Sequence, residues 1–228
     1  MFLGHIAVAL AGKRISPKTS LGTLIFAAQF ADLLWPLLLL AGVEEVRIVP
    51  GLLPASPFDF VSYPISHSLL ADVGWGALLA AVAFAARRDV RSALLLGALV
   101  PSHWFLDFIA HRPDLPLYPG GDEVGLSMWS SVAVTILVEL ALFSLGVALY
   151  LRTTRARDRT GQVAFFALVA LLVVVFFGAL FGPPPPDVGT LAVSALALVL
   201  LVPFAAWIDR HRRPSPDAIS AREARASS

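Results

Sequence analysis

The sequence predicts an all-α integral membrane protein: a bundle of about six transmembrane helices preceded by a short N-terminal half-helix. Three observations predict it. Of the 228 residues, 57% are hydrophobic and only 14% charged, whereas a soluble domain is about 45–50% apolar and about a quarter charged. Several runs reach the roughly 20 apolar residues that cross a ~30 Å hydrocarbon core at 1.5 Å per residue. The basic residues also cluster in every second connecting segment, as they do in a multi-pass protein.

Phe2 to Gly12 is apolar but too short to cross, and Lys13-Arg14 follow it instead of preceding it as in a signal peptide. It reads as a half-helix or re-entrant segment ending at the membrane surface. The next run, 21–42, is apolar apart from Asp32 and carries Trp35-Pro36. Five further spans follow at about 64–86, 92–112, 129–151, 162–182 and 189–208. The 43–63 segment (Pro50, Pro54, Pro57) and the 113–128 segment (Pro113, Pro116, Pro119, Gly120-Gly121) read as loops on one side. Residues 1–208 form one helical domain in this reading. Residues 209–228 form a polar tail expected to be disordered.

Orientation follows from Lys and Arg. The segments around 13–18, 87–91, 152–159 and 210–225 hold three, three, four and five of them, fifteen of the seventeen in the chain. The alternate loops hold only Arg47 and Arg112. The basic side is expected to be cytoplasmic, with both termini on it, in a bacterial inner membrane. There are no cysteines, so disulfide and thiolate chemistry are excluded. The net charge of +1 selects no partner. Membrane lipid and a small-molecule or lipid substrate are expected, nucleic acid is not, and no feature reports an oligomeric state.

Ionisable groups inside spans cost roughly 2.5–3.5 kcal/mol each on insertion scales, which makes them functional candidates. Here they are Asp32, Asp72, His103, Asp107 and Glu139, with His67 and His111 near the span ends and His5 in the first segment. His103, Asp107 and His111 recur at i, i+4 and i+8, about 40° apart on one helix face. Imidazole and carboxylate are the ligand types of zinc, iron and manganese sites. A His–Asp pair that staples helices together is the simpler alternative. Depth favours the metal: counted from the basic side at 1.5 Å per residue, His5, Asp32 and His103 all fall ~12–16 Å deep. Asp107 follows a turn higher, and His67 can close the site if its helix bends at Pro64. His111 reads equally as a ligand, an outer acid/base or an interfacial residue. Asp72 and Glu139 read as supporting carboxylates or as residues with other polar partners. His211 is expected to be solvated. Ser68 has a nucleophile's hydroxyl but no base placed beside it.

Gly4-His5, Ala31-Asp32, Ser66-His67-Ser68-Leu69 and Ser102-His103-x-x-x-Asp107 occur in an order that resembles the bacterial family of membrane-bound, metal-dependent hydrolases. That family is also described as LexA-binding, inner-membrane-associated hydrolases. The resemblance covers residues 1–112. Its usual elements are an N-terminal Gly-His, a Pro-Asp-x-Asp, a His-Arg-Gly-x-Thr-His-Ser-Leu and a Ser-His-x-x-x-Asp. Two departures stand out: Leu34 occupies the place of the second aspartate, and Ser62-Tyr63-Pro64 replace His-Arg-Gly. A two-ion centre in the family would be reduced to one ion here.

The expected function is therefore a membrane-embedded metal-dependent hydrolase with a lipid or lipid-linked ester or phosphoester as substrate. His5, Asp32, His67, His103 and Asp107 would be the ligands of zinc, or of manganese or iron. Asp107, Asp32 or His111 would act as general base on a water acidified by the ion. An ion- or proton-coupled transporter and a non-catalytic scaffold are the alternatives. The lack of an internal repeat counts against the transporter.

Overall fold

The computed structural model describes residues 1–215 and is an all-α bundle with little sheet. Among the described residues, five helical stretches are long and apolar enough to cross a membrane. They are α4 (Leu69–Arg87), α5 (Val90–Ala110), α6 (Val132–Thr153), α7 (Arg159–Phe181) and the continuous stretch Val188–Arg210. The last comprises α8 (Val188–Leu196), a 3-10 turn and α9 (Leu201–Arg210). A sixth candidate crossing is the pair α2 (Leu21–Ala28) and α3 (Phe30–Leu40), which passes the same test only when taken together and is bent by 56° at Gln29. Exposed Leu, Val and Phe side chains on α4, α6 and α7 suit a hydrocarbon surround.

The bent pair leaves two carbonyls without a donor from their own helix. Ala28 ends α2, so its carbonyl belongs to the last turn, where no intrahelical donor follows. Pro36 inside α3 has no N–H to return to the carbonyl of Asp32. A discontinuous helix of this kind is tolerated at membrane depth where it is covered by protein or lines a cavity.

The first helix, α1 (Phe2–Ile15), is not a surface segment. Leu3, His5, Ile6, Ala9 and Leu10 are fully or almost fully buried, and the helix packs against α6, α2 and α5. At 1.5 Å per residue its fourteen residues span about 21 Å, less than a full crossing. Its Met1 end is thus left in the interior. Glu139 of α6 covers that end, each carboxylate oxygen accepting from a backbone amide: Phe2 N at 2.9 Å and Gly4 N at 2.9 Å. The close approach of α1 to α6 depends on Gly146, because a Cβ there would lie 2.7 Å from Ala7 Cα. The other end of α1 is anchored by Lys13, buried and donating to Asp209 on α9 at 2.6 Å.

Helices α4 and α5 form an antiparallel hairpin. Arg88 makes the turn in the left-handed region (φ 54°), and Asp89 caps α5. The pair cross over Gly76 and Gly97, where any side chain on Gly76 would meet the Gly97 carbonyl. Ser68 caps α4, accepting from Ala71 N at 3.2 Å while donating to the Pro64 carbonyl at 2.6 Å. Its hydroxyl is thereby committed to structure.

Three expectations are revised. The proline-bearing 43–63 segment is not an irregular loop but an antiparallel hairpin, β1 (Glu45–Leu53) and β2 (Ser56–Ser62), with register shifts near the prolines. It lies over one end of the bundle. Short two-stranded ladders also pair β3 (Leu115–Pro116) with β4 (Glu123–Val124), and β5 (Thr154–Ala156) with β6 (Arg212–Pro214). So the first part of the expected tail is ordered against the 154–156 segment, and Arg212 is buried over Tyr150 and Phe165. His211 is not simply solvated. Its Nδ1 lies 2.8 Å from Asp158, whose carboxyl is held below its ordinary value chiefly by that hydrogen bond. The remainder of the expected tail, 216–228, lies outside the described residues.

The helix count and the alternation of basic residues make a topology prediction. Reporter tags at residue 155 and at the C-terminus should give the same, cytoplasmic, signal, and a tag at Gly121 the opposite one. A shared signal from 121 and 155 would remove one crossing from the bundle.

Candidate metal centre

Asp107 on α5 lies at the centre of the polar interior. Its Oδ1 contacts the Met1 nitrogen and lies 3.1 Å from His5 Nε2. Its Oδ2 lies 3.2 Å from His103 Nε2, 3.9 Å from His111 Nε2 and 4.0 Å from His67 Nε2. Asp32, in the first turn of α3, brings Oδ1 to 3.5 Å from His67 Nε2 and 3.7 Å from His103 Nε2. The helix pattern explains the α5 part: positions 103 and 107 are one turn apart on one face. The break at Gln29 places Asp32, and the turn before α4 places His67.

Three of the histidines share an orientation. His103 Nδ1 is 3.0 Å from the Ala28 carbonyl, the group released by the broken helix. His67 Nδ1 is 2.7 Å from Ser66 Oγ, which itself donates to Glu44 at 2.6 Å. His111 Nδ1 is 3.0 Å from Asp114 Oδ1. A carbonyl, a hydroxyl that has already given its proton, and a carboxylate can only accept. Each Nδ1 therefore carries a proton, and each Nε2 is the ring atom left facing the carboxylates, a lone-pair ligand whenever the ring is neutral. Outer acceptors that fix the tautomer in this way are the usual support of metal-binding histidines.

The result is a set of Nε2 atoms facing carboxylates. They share one buried region with the Met1 nitrogen, and Asp32 alone keeps appreciable exposure, with 28% of its side chain accessible. Among the described residues His103 Nε2 has no aligned hydrogen-bond partner despite its 3.2 Å approach to Asp107. Two buried carboxylates need positive charge beside them, which the Met1 ammonium on Asp107 supplies in part and a metal ion between the Nε2 atoms would complete. Two subsets have one ligand atom from each residue within 4.8 Å of one another: His5, His103 and Asp107, and Asp32, His67 and His103. Residues and donor chemistry therefore fit a metal ion. The buried His/Asp groups could hold one.

No family model, curated protein or solved structure matches the chain.

His5 differs from the other rings. It stacks on His103 with centroids 3.6 Å apart and planes 7° apart, and its Nδ1 has no partner. Two cationic rings at that separation would repel, so at least one of the pair is neutral. His111 sits in the wall between Phe60 and Trp129, at centroid distances of 4.7 and 4.4 Å. Tyr63 stands behind it, its hydroxyl donating to the Asp114 carbonyl at 2.7 Å. Burial, with help from the Asp114 carboxylate, raises that phenol well above its ordinary value, so it stays a neutral donor.

A cavity of about 210 Å³ reaches this cluster from beneath the hairpin. Asp32, His67, Asp107 and His111 line it, with Phe58 and Trp129 among its apolar walls. Glu139 also borders it, although its oxygens are taken by the α1 amides. Asp72 is elsewhere: it is fully buried on α4, and neither oxygen has a hydrogen-bond partner among the described residues.

Glu44 and Asp114 were not among the residues the sequence singled out, and Ser66 entered only as the first residue of the Ser66-His67-Ser68-Leu69 motif, with no role given to it. They lie in turns, where no helical period marks them. Only the adjacency of Ser66 to His67, and the three-residue spacing from His111 to Asp114, could have suggested them.

Proposed function

We propose that the chain is a metal-dependent hydrolase working within a bacterial inner membrane, both termini in the cytoplasm, with zinc as the ion that best suits a mixed His/Asp set. The observation that carries this reading is the common orientation of His67, His103 and His111. Three rings with Nδ1 tied outward and Nε2 turned toward two carboxylates are arranged for a cation, whereas a helix staple needs only one donor and one acceptor. The resemblance of residues 1–112 to the membrane-bound hydrolases points the same way.

In this reading Asp32, His67, His103 and Asp107 hold the ion, with His5 completing the set or steadying Asp107 through Oδ1. When bound, the ion supplies a Lewis acid and a water acidified toward a pKa of ~7. The protein's own contribution is positional. Glu44 and Ser66 fix the His67 ring, the Ala28 carbonyl fixes His103, and Asp114 fixes His111. His111 faces the cavity with a free Nε2, so it takes the proton of an attacking water and returns it to the leaving group. Phe60 and Trp129 limit bulk water around it.

The test is turnover by the purified protein in lipid nanodiscs, using a panel of long-chain esters and phosphoesters. Hydrolysis that a chelator abolishes and zinc or manganese restores is expected, with His111→Asn retaining metal but losing about 10²–10⁴-fold in rate. Metal-loaded protein that cleaves none of the panel, or an unaltered rate in His111→Asn, would contradict the assignment. One observation favours transport instead: Asp72 is a buried, unpartnered carboxyl within a span, as on ion pathways. Ion-driven uptake into vesicles that is lost in Asp72→Asn would support that second reading.

A further inference from the structure

Beneath the β1–β2 hairpin a second chamber of about 540 Å³ adjoins the site cavity. The two share part of their lining. Phe2, Ala55, Pro57, Phe58, Ala179 and Leu180 line both. The chamber's far walls come from α7 (Val175), the 182–185 turn, α8 (Leu191) and the 3-10 turn that follows it (Leu198). These walls are almost wholly apolar, and the volume falls in the range of roughly 300–1,000 Å³ typical of small-molecule sites.

The helix packing leaves this chamber a side entrance. Although α7 and α8 are consecutive, α7 packs on α9 and α8 packs on α3, and the two scarcely touch each other. Four prolines, Pro183–Pro186, turn the chain between them and cannot continue either helix. Both helices carry exposed apolar side chains, Val174 and Phe181 on α7 and Val193 on α8. An apolar slot between membrane-spanning helices opens onto hydrocarbon, not onto water.

Charge narrows the occupant. Among the described residues neither space is lined by Lys or Arg, while the Met1 ammonium and the carboxylates of Asp32, Asp107 and Glu139 border the inner one. A divalent ion together with the ammonium would offset the three carboxylates and leave no surplus positive charge. A phosphomonoester would bring up to two negative charges into that setting. An uncharged acyl carbonyl brings none.

We propose that the chamber between α7 and α8 receives the hydrocarbon tail of a long-chain carboxylic ester directly from the bilayer, placing its carbonyl at the His/Asp cluster. This rests on the hydrolase reading and specifies its substrate. In the reaction, water adds to the carbonyl carbon and the acyl C–O bond breaks. His111 takes the water's proton and delivers it to the departing alkoxide, so ester and water become a carboxylic acid and an alcohol.

The experiment is photolabelling of wild-type protein in nanodiscs with a long-chain monoacylglycerol bearing a diazirine near the tail end, adducts being mapped by mass spectrometry. Adducts on Leu53, Val175, Leu191 and Leu198 should exceed those on the outward-facing Val134 and Leu137 of α6 by about tenfold, as preferential occupancy of one site requires. The unlabelled ester should compete, and an alkyl phosphate of equal chain length should compete about tenfold less well. Ala195→Trp, which fills the chamber without touching the cluster, should remove the chamber adducts and leave metal content unchanged. Labelling spread evenly over the lipid-facing surface would overturn the chamber, and equal competition by the phosphate would overturn the ester. Metal content, measured on the same samples, reports separately on the hydrolase reading: loss of the ion from wild type would remove the cluster itself.

Discussion

Replacing Asp107 or His103 by alanine should abolish the response of the protein's melting temperature to added metal, while the protein still inserts in the membrane. Asp107 is the group on which the cluster converges, with the Met1 nitrogen and His5 on one oxygen and His67, His103 and His111 around the other. Insertion depends on apolar length, and deleting an interior ionisable group eases it. A ligand present at a hundred times its dissociation constant adds about 2.7 kcal/mol to the folded state, so wild type should melt visibly higher with zinc than with chelator. The variants should show no difference between the two conditions. If these residues only tie helices together, each variant loses ~0.5–1.5 kcal/mol per hydrogen bond and wild type does not respond to metal at all. Identical behaviour of all three proteins in zinc and in chelator would establish the staple.

The second large effect is expected far from the centre. Asp209→Ala should destabilise the bundle by about 3–5 kcal/mol, because it strands a buried ammonium. Lys13 Nζ donates to Asp209 Oδ2 at 2.6 Å and to the Thr19 and Pro17 carbonyls at 2.7 and 3.0 Å, with only 4% of its side chain exposed. Asp209 in turn accepts from Tyr150 Oη at 3.1 Å and from Leu21 N at 3.3 Å. The cluster thus fixes the end of α1 opposite to the one Glu139 covers, and α1 carries His5. Lys13→Met combined with Asp209→Leu removes both charges and should recover most of the loss, since apolar replacement of a buried pair is close to neutral. Denaturation of single and double variants in detergent measures it. A cost below about 1 kcal/mol for Asp209→Ala would mean that Lys13 is effectively solvated.

The spans were legible because a bilayer imposes a length and an apolarity that few other solvents do. Each of the five long helical stretches begins and ends within about five residues of its sequence estimate, inside the usual boundary scatter save for α4, whose first turn is displaced by the Pro64–Ser68 cap. The hairpin at 45–62 was not legible. Val46, Ile48, Phe58 and Phe60 alternate, but Pro50, Pro54 and Pro57 interrupt the run and read as a loop. Within the site, the 103/107 pair follows from helical period alone, and the meeting of His5 with His103 followed from counting depth. His67 was harder, since its place depends on a turn and not on a helix. The supporting groups Glu44, Ser66, Asp114 and the Ala28 carbonyl are set by chain reversals and by one broken helix. Long-range contacts of that kind leave no periodic trace. Glu139 shows the opposite case: its burial marked it for a role near the site, and it serves as the cap of α1.

The most direct test of the central claim is elemental analysis of detergent-purified wild type beside His103→Ala. The arrangement of Nε2 atoms around Asp107 and Asp32 predicts about one divalent ion per chain in wild type, as a four-ligand site holds one, and background levels in His103→Ala. A wild-type protein that carries no ion after growth and refolding-free purification in zinc, manganese and iron, and that matches His103→Ala in content, would contradict the account.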